Sequence, residues 1–183
     1  RDDLKGDYGA SIWAQTITQL RKMNPQCTIE VLTPDFKGEP KALNIVFEAL
    51  PNIFSHNIEC VERISRQIRP QANWKRTLGV LKLAKEFGLT VKTGIMVGLG
   101  ETIDEVKKTM DEALSVGVEI FTIGQYLQPT KKHLVVQKYR SLKDFELLKD
   151  YGKEIGFKII ESGPLVRSSY HADEQAKLFY NNA

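Results

Sequence analysis

The sequence predicts an α/β protein with a parallel sheet, built as a partial (β/α) barrel. Three observations predict it. Short runs rich in β-branched residues alternate with helical stretches along the whole chain. The turns between them are a few residues long, too short for any topology except strand, crossover helix, neighbouring strand. Four strands precede the last one, too few to close a barrel of eight, so the first strands of the wall are expected upstream of Arg1.

Each element has a local reason. Ser11 can cap a helix that carries Trp13, Ile17 and Leu20 on one face, and Asn24-Pro25 ends it. Residues 28–33 form a β-branched strand stopped by Pro34. Pro40 opens a second helix with Leu43, Phe47 and Leu50 along one face. Residues 53–59 alternate as a strand with Ser55, Asn57 and Glu59 sharing a face, an unusual trio to bury and a mark of a surface that meets ligand or water. A short helix at 61–68 is followed by a longer one at 73–87, lined by Trp74, Leu78, Leu81 and Ala84 and closed by Gly88. A strand at 91–97 leads into the turn Gly98-Leu99-Gly100-Glu101. Thr102 and Glu105 make a capping box for a helix that runs to Gly117. A strand at 118–126 breaks at Gln128-Pro129. Ser141 and Asp144 open a helix with Leu142, Phe145, Leu148 and Ile155 inward and Gly156 at its end. A last strand at 157–161 and a terminal helix at 173–180 flank a polar loop. The domain organisation expected is a barrel segment over 1–161 and a C-terminal extension over 162–183.

Composition excludes several classes. With 183 residues, 42% hydrophobic and 27% charged, the chain can bury a sizeable core. A net charge of +3 is too small to argue for nucleic acid on field strength. No apolar run approaches the roughly 20 residues of a bilayer span. Cys27 and Cys60 form neither a CxxC nor a disulfide framework, which points to a reducing compartment.

In parallel α/β folds ligands sit at the carboxyl ends of the strands. Asp35, Asn57, Glu59, Gly98, Gly100, Glu101, Gln125, Tyr126 and Gln128 gather there. The glycines of residues 94–101 could let a flat ligand approach the backbone, or could only make the strand-to-helix turn; their spacing is not the dinucleotide fingerprint. Asn57 and Glu59 could hold a ribose or an amino-acid group, or Glu59 could pair with a basic neighbour such as Arg63. His56, on the opposite face from Glu59, is a packed or surface imidazole, and His133 beside two lysines is solvated. Residues 162–172 carry Arg167-Ser168-Ser169-Tyr170-His171, able to grip an anion or to form a capped turn. The histidines show no paired metal-ligand spacing, and two lone cysteines cannot hold a four-iron cluster.

Taken in order, six runs resemble the lipoyl synthase family of radical S-adenosylmethionine enzymes. They are Arg1-Asp2-Asp3-Leu4, Ile29-Glu30-Val31-Leu32-Thr33-Pro34-Asp35-Phe36 and His56-Asn57-Ile58-Glu59, then residues 92–102, Gly124-Gln125-Tyr126-Leu127-Gln128-Pro129 and residues 162–172. The resemblance implies a six-stranded partial (β/α) barrel of the radical SAM type, S-adenosylmethionine and two 4Fe-4S clusters. It implies a sulfur transferase: a 5′-deoxyadenosyl radical takes hydrogen from two unactivated carbons of an octanoyl chain. That chain hangs on a lysine of a lipoyl carrier domain, an E2 subunit or H protein, and an auxiliary cluster supplies two sulfurs. No nucleic acid or membrane partner is implied, and the location is cytoplasmic, or mitochondrial in a eukaryote.

By the same resemblance Ser169 is an oxygen ligand to an iron of the auxiliary cluster, and Arg167 lies near the cluster's charge. Gly94, Gly98 and Glu101 belong to the adenosylmethionine-binding strand end, with Asn57 and Glu59 facing the same cofactor. The family's cysteine motifs are absent from this chain and are expected upstream, so the chain alone is expected neither to assemble clusters nor to turn over. Two rival readings are a non-radical barrel enzyme on a phosphorylated metabolite, with Lys92 as an amine nucleophile, and a non-catalytic module that docks a carrier through Lys131, Lys132, Lys138 and Arg140.

Overall fold

The computed structural model describes residues 4–180. The expected domain limits at residues 1 and 183, and the first three residues of the Arg1-Asp2-Asp3-Leu4 run, lie outside them. Five strands make one parallel sheet in chain order: β1 (Glu30–Leu32), β2 (Ile53–Ser55), β3 (Thr90–Val97), β4 (Ile120–Gln125) and β5 (Ile159–Gly163). Every strand lies beside its predecessor. That is the order of a barrel wall, whereas a doubly wound sheet reverses direction at a switch point. The helices are α1 (Ala10–Met23), α2 (Pro40–Glu48), α3 (Glu62–Ile68), α4 (Trp74–Phe87), α5 (Ile103–Ser115), α6 (Leu142–Ile155) and α7 (Ala172–Tyr180).

The two faces of the sheet bury different partners. On one face Val31, Phe54, Val91, Phe121 and Ile160 belong to a core with Leu43, Phe47, Leu81, Met110 and Phe145 of the crossover helices. Phe47 meets Phe54 edge-on with ring centroids 5.1 Å apart. On the other face Ile53, Ile120 and Ile159 pack with Ala176, Phe179 and Tyr180 of α7. A five-stranded wall leaves that face unfilled by its own barrel, and α7 supplies the missing apolar layer. β5 runs on to Gly163, across the expected boundary at residue 161.

Caps explain most element limits, and four departures from expectation lie at element ends. Helix α1 starts at Gly9 (φ 83°), not at Ser11. The Asp7 carboxylate accepts from the Gly9 amide at 2.9 Å and the Ser11 amide at 2.8 Å, which satisfies donors the helix cannot; hydrogen bonding from the Ser11 side chain, then from these amides, lowers the Asp7 pKa. Leu50 lies beyond the end of α2, in left-handed backbone (φ 53°), and is exposed. Leu142 is also exposed, because it is the first residue after the Ser141 cap and faces outward. The last strand begins at Ile159 rather than 157: the Phe157 amide donates to the Gly152 carbonyl at 3.1 Å and is spent on closing α6 at Gly156.

A buried ion pair fastens the loops that follow β3 and β4. The Glu101 carboxylate accepts from the Gly98 amide at 2.8 Å and the Leu99 amide at 2.9 Å, and from Arg140 at 2.5 Å. The Arg140 guanidinium also donates to the Glu101 carbonyl, and its own amide donates to the Gln125 side chain at 2.9 Å. Both charges are almost wholly buried, so removing one strands the other. Replacing Arg140 by Met should therefore lower the unfolding free energy by about 3 kcal/mol, measured by urea denaturation.

Candidate functional site

The site begins with one extra residue. Past Ser55 the chain stays beside β3, with the His56 amide donating to the Lys92 carbonyl at 3.2 Å and the Glu59 amide to the Gly94 carbonyl at 3.1 Å. Three steps on one side thus match two on the other, which is a β-bulge, and the ladder resumes only as the bridge between Glu59 and Ile95. The regular strand expected over 53–59 is therefore broken, and Glu59 adopts left-handed backbone (φ 75°). The Thr93 hydroxyl ties the bulge: it donates to the His56 carbonyl at 2.7 Å and accepts from the Ile58 amide at 3.1 Å.

Around the bulge, Asn57 and Glu59 line a cavity of about 330 Å³ at the carboxyl ends of β3 and β4. Gly94, Met96, Thr122 and Gly124 form its sheet wall; Gln128, Arg167 and Ser168 also line it. That volume lies within the usual range for small-molecule sites. The Asn57 Oδ1 atom is buried without a hydrogen-bond partner, an acceptor held ready for a donor. Burial pushes the Glu59 carboxyl up; Arg69 and the Asn57 amide only partly offset it. The basic neighbour of Glu59 is Arg69, at 3.6 Å, while Arg63 binds Glu105 at 2.6 Å instead.

A larger hollow of about 670 Å³ lies between the end of β1 and the start of α4, lined by Asp35, His56, Arg69, Arg76 and Thr77. Asp35 is engaged there by Arg76 at 2.6 Å. His56 is packed, with Nδ1 2.9 Å from the Thr33 carbonyl, and its burial lowers its pKa. A carbonyl neighbour requires the proton on Nδ1.

The glycines serve the fold more than a ligand. A Cβ on Gly94 would lie 2.2 Å from the Thr122 hydroxyl, and one on Gly98 would lie 2.2 Å from the Gln125 amide nitrogen and 2.4 Å from the Lys138 carbonyl. Gly98 also needs its φ of +104°. Neither Gly98 nor Glu101 is among the residues lining the cavity; they hold shut the loop behind it.

The polar loop after β5 is a turn at the cavity mouth. The Tyr170 amide donates to the Arg167 carbonyl at 2.9 Å, and the Arg167 guanidinium folds back onto the Val166 carbonyl at 2.6 Å. Ser168 reaches the cavity wall, whereas Ser169 is exposed next to it on the turn. Sequence reasoning missed Thr122 and Gly124 as lining residues; their alternation, opposite Gly94 and Met96, was the signal.

Two expectations from the rival readings are corrected. Lys92 is fully buried and donates to Glu30 at 2.9 Å and Gln175 at 2.8 Å, so it offers no free amine at the cavity. Arg140 is committed to Glu101 and cannot join Lys131, Lys132 and Lys138 on a docking surface. Among the described residues no group of three metal-ligating side chains exists. Cys27 is exposed, and burial pushes the Cys60 thiol up to about 12, far from the thiolate that iron requires. The described residues alone thus do not fit an iron–sulfur cluster.

Against known proteins, residues 9–113 match the Radical SAM superfamily profile. The chain belongs to the radical SAM superfamily. Within it, the chain is 51% identical over 175 residues to the lipoyl synthase of Leptospira interrogans, covering 96% of this chain and 58% of that protein. It is 50% identical over 182 residues to the lipoyl synthase of Bacteroides fragilis, covering 100% and 62%. It is 49% identical over 175 residues to the mitochondrial lipoyl synthase of Nematostella vectensis, covering 95% and 60%. The chain thus spans about three-fifths of the length of these curated relatives. The fold is shared with methylornithine synthase (TM-score 0.63, 13% identity, 82% of this chain and 51% of that one). It is also shared with Streptococcus suis SuiB bound to S-adenosylmethionine (TM-score 0.62, 10% identity, 82% and 34%). Among the described residues no helix is long and apolar enough to cross a membrane.

The Glu59 environment gives a signed prediction. Its raised pKa means that the folded state is disfavoured once the carboxyl ionises, a cost absent below the ordinary value of 4.5 and complete above the folded one. Glu59→Gln should therefore be the more stable protein at pH 7. Its advantage should vanish as the pH falls below 4.5, as read from thermal unfolding across pH.

Proposed function

We propose that the protein carrying this chain is a lipoyl synthase, an enzyme that inserts two sulfur atoms into a protein-bound octanoyl chain. The observation that carries this reading is the identity of about half, over nearly all of this chain, with lipoyl synthases from two bacteria and an animal. The substrate is the octanoylated lipoyl domain of an E2 subunit or H protein. The place of reaction is the cytoplasm, or the mitochondrion in a eukaryote, in line with the name of the Nematostella relative.

S-adenosylmethionine and two 4Fe-4S clusters, with thiolates from outside the described residues, supply the radical and the sulfur that unactivated carbons require. The residues of this chain bind and orient. Asn57 Oδ1 would accept from a hydroxyl or amine of the adenosylmethionine, the partner that the atom lacks. Glu59, 3.6 Å from Arg69, would turn its carboxyl to the cationic part of the same molecule. Gly94 keeps the sheet wall flat beneath the cofactor, while Gly98 and Glu101 act from behind by fixing the loop. Arg167 lines the cavity with a positive charge and would sit near the anionic auxiliary cluster. Ser169, exposed on the turn, would give a hydroxyl oxygen to one iron of that cluster. An oxygen donor is harder and weaker for that iron than thiolate, which suits a cluster that must release sulfur.

The test uses the full-length protein with octanoylated carrier, S-adenosylmethionine and a reductant. Ser169→Ala should lose lipoyl formation while still releasing 5′-deoxyadenosine; an unchanged lipoyl yield would remove Ser169 from this role. Asn57→Ala should weaken S-adenosylmethionine binding roughly tenfold, the worth of one hydrogen bond to a charged or strongly polar ligand.

A further inference from the structure

We infer that Gln175 is a positioning residue that fixes the Arg167–Tyr170 turn to the sheet through the buried ammonium of Lys92. Gln175 is 1% exposed, and its side chain works in two directions. Its Oε1 accepts from Lys92 Nζ at 2.8 Å, and its Nε2 donates to the Tyr170 carbonyl at 2.9 Å. Lys92, 0% exposed, donates at 2.9 Å to Glu30 of β1. A continuous line therefore runs from β1, through β3, to the carbonyl that follows Ser169.

Burying an ammonium beside the isoleucines of this sheet face is costly, and a hydrocarbon side chain would fill the same space at less expense. What the ammonium adds is direction. The apolar contacts of α7 with Ile53, Ile120 and Ile159 fix its depth on the sheet, but they do not specify its register. The charge-assisted hydrogen bond from Lys92 to Gln175 does, with Lys92 itself fixed by its bond to Glu30 of β1. The amide of Gln175 passes that register to the turn. The other end of α7 is held separately, where the Tyr180 hydroxyl lies 2.9 Å from the Thr90 hydroxyl and also donates to the Asn52 carbonyl. The turn end therefore depends on Gln175 while the far end does not.

This deepens the reading of Ser169 in what the turn is held in place for, but its test involves no cofactor. Amide hydrogen exchange is followed by NMR on the full chain. Gln175→Glu keeps the acceptor for Lys92 and loses the donor to Tyr170. It should speed exchange of the Tyr170 and Ala172 amides roughly five- to tenfold and leave the protection of residues 176–180 at the parent level. Gln175→Met and Lys92→Met, which break the line at the sheet, should speed both segments. Unchanged exchange at Tyr170 and Ala172 in Gln175→Glu overturns the inference. So does equal acceleration of turn and helix in that variant, or uniform acceleration across the chain in all three. Failure here leaves the assignment of Ser169 as a ligand standing, and failure of Ser169→Ala to lose sulfur insertion leaves this tether standing.

Discussion

One inserted residue, in the stretch from His56 to Glu59, shapes the backbone that carries the polar groups of the cavity. Side chains of a regular strand alternate, so Ser55, Asn57 and Glu59 would all have shared one surface of the sheet. Ser55 lies fully buried low on that face, and Asn57 and Glu59, around the bulge, line the cavity at the strand ends of the same face. The distortion is stabilised by a buried hydroxyl on the neighbouring strand, Thr93, which bonds both the carbonyl and the amide that the ladder has lost. An open acceptor at Asn57 and a carboxylate with a raised pKa at Glu59 are the chemical result.

The rest of the fold keeps that arrangement rigid. The Glu101–Arg140 pair locks the loops beyond β3 and β4, so the glycines of the 98–101 turn are there for backbone geometry and close packing. Helix α7 fills the sheet face that a partial barrel leaves bare, and the turn that precedes it brings Arg167 and Ser168 to the cavity. A site assembled from three strand ends and a C-terminal turn suits a fold in which the sheet provides position and the loops provide chemistry.

Much of this was legible in the sequence, for local reasons. The capping boxes at Thr102 and Ser141, Pro40 at a helix start and Gly88 and Gly156 at helix ends fix elements through a few neighbouring atoms, and each is found where its chemistry predicts. The departures are non-local. Asp7 displaces Ser11 as the source of the first cap, and only the folded approach reveals its two bonds. The bulge depends on Thr93, more than thirty residues away, and no period within 53–59 encodes it. Glu101 and Arg140 both looked like ligand-facing or docking residues because a charge in a loop carries no label for its partner; their pairing spans the chain between two strand ends. Asn57 and Glu59 were legible as polar groups on one strand face, and they line the cavity; the role given to Ser169 came from resemblance to a family.

The most direct measurement is S-adenosylmethionine affinity in the full-length, cluster-loaded protein with the Thr93 hydroxyl removed. Thr93→Val is close in shape but cannot hold the bulge, so affinity should fall about tenfold, and Thr93→Ser should restore most of it. Parent-level affinity in Thr93→Val would contradict the account, because the bulge would then have no part in presenting Asn57 and Glu59.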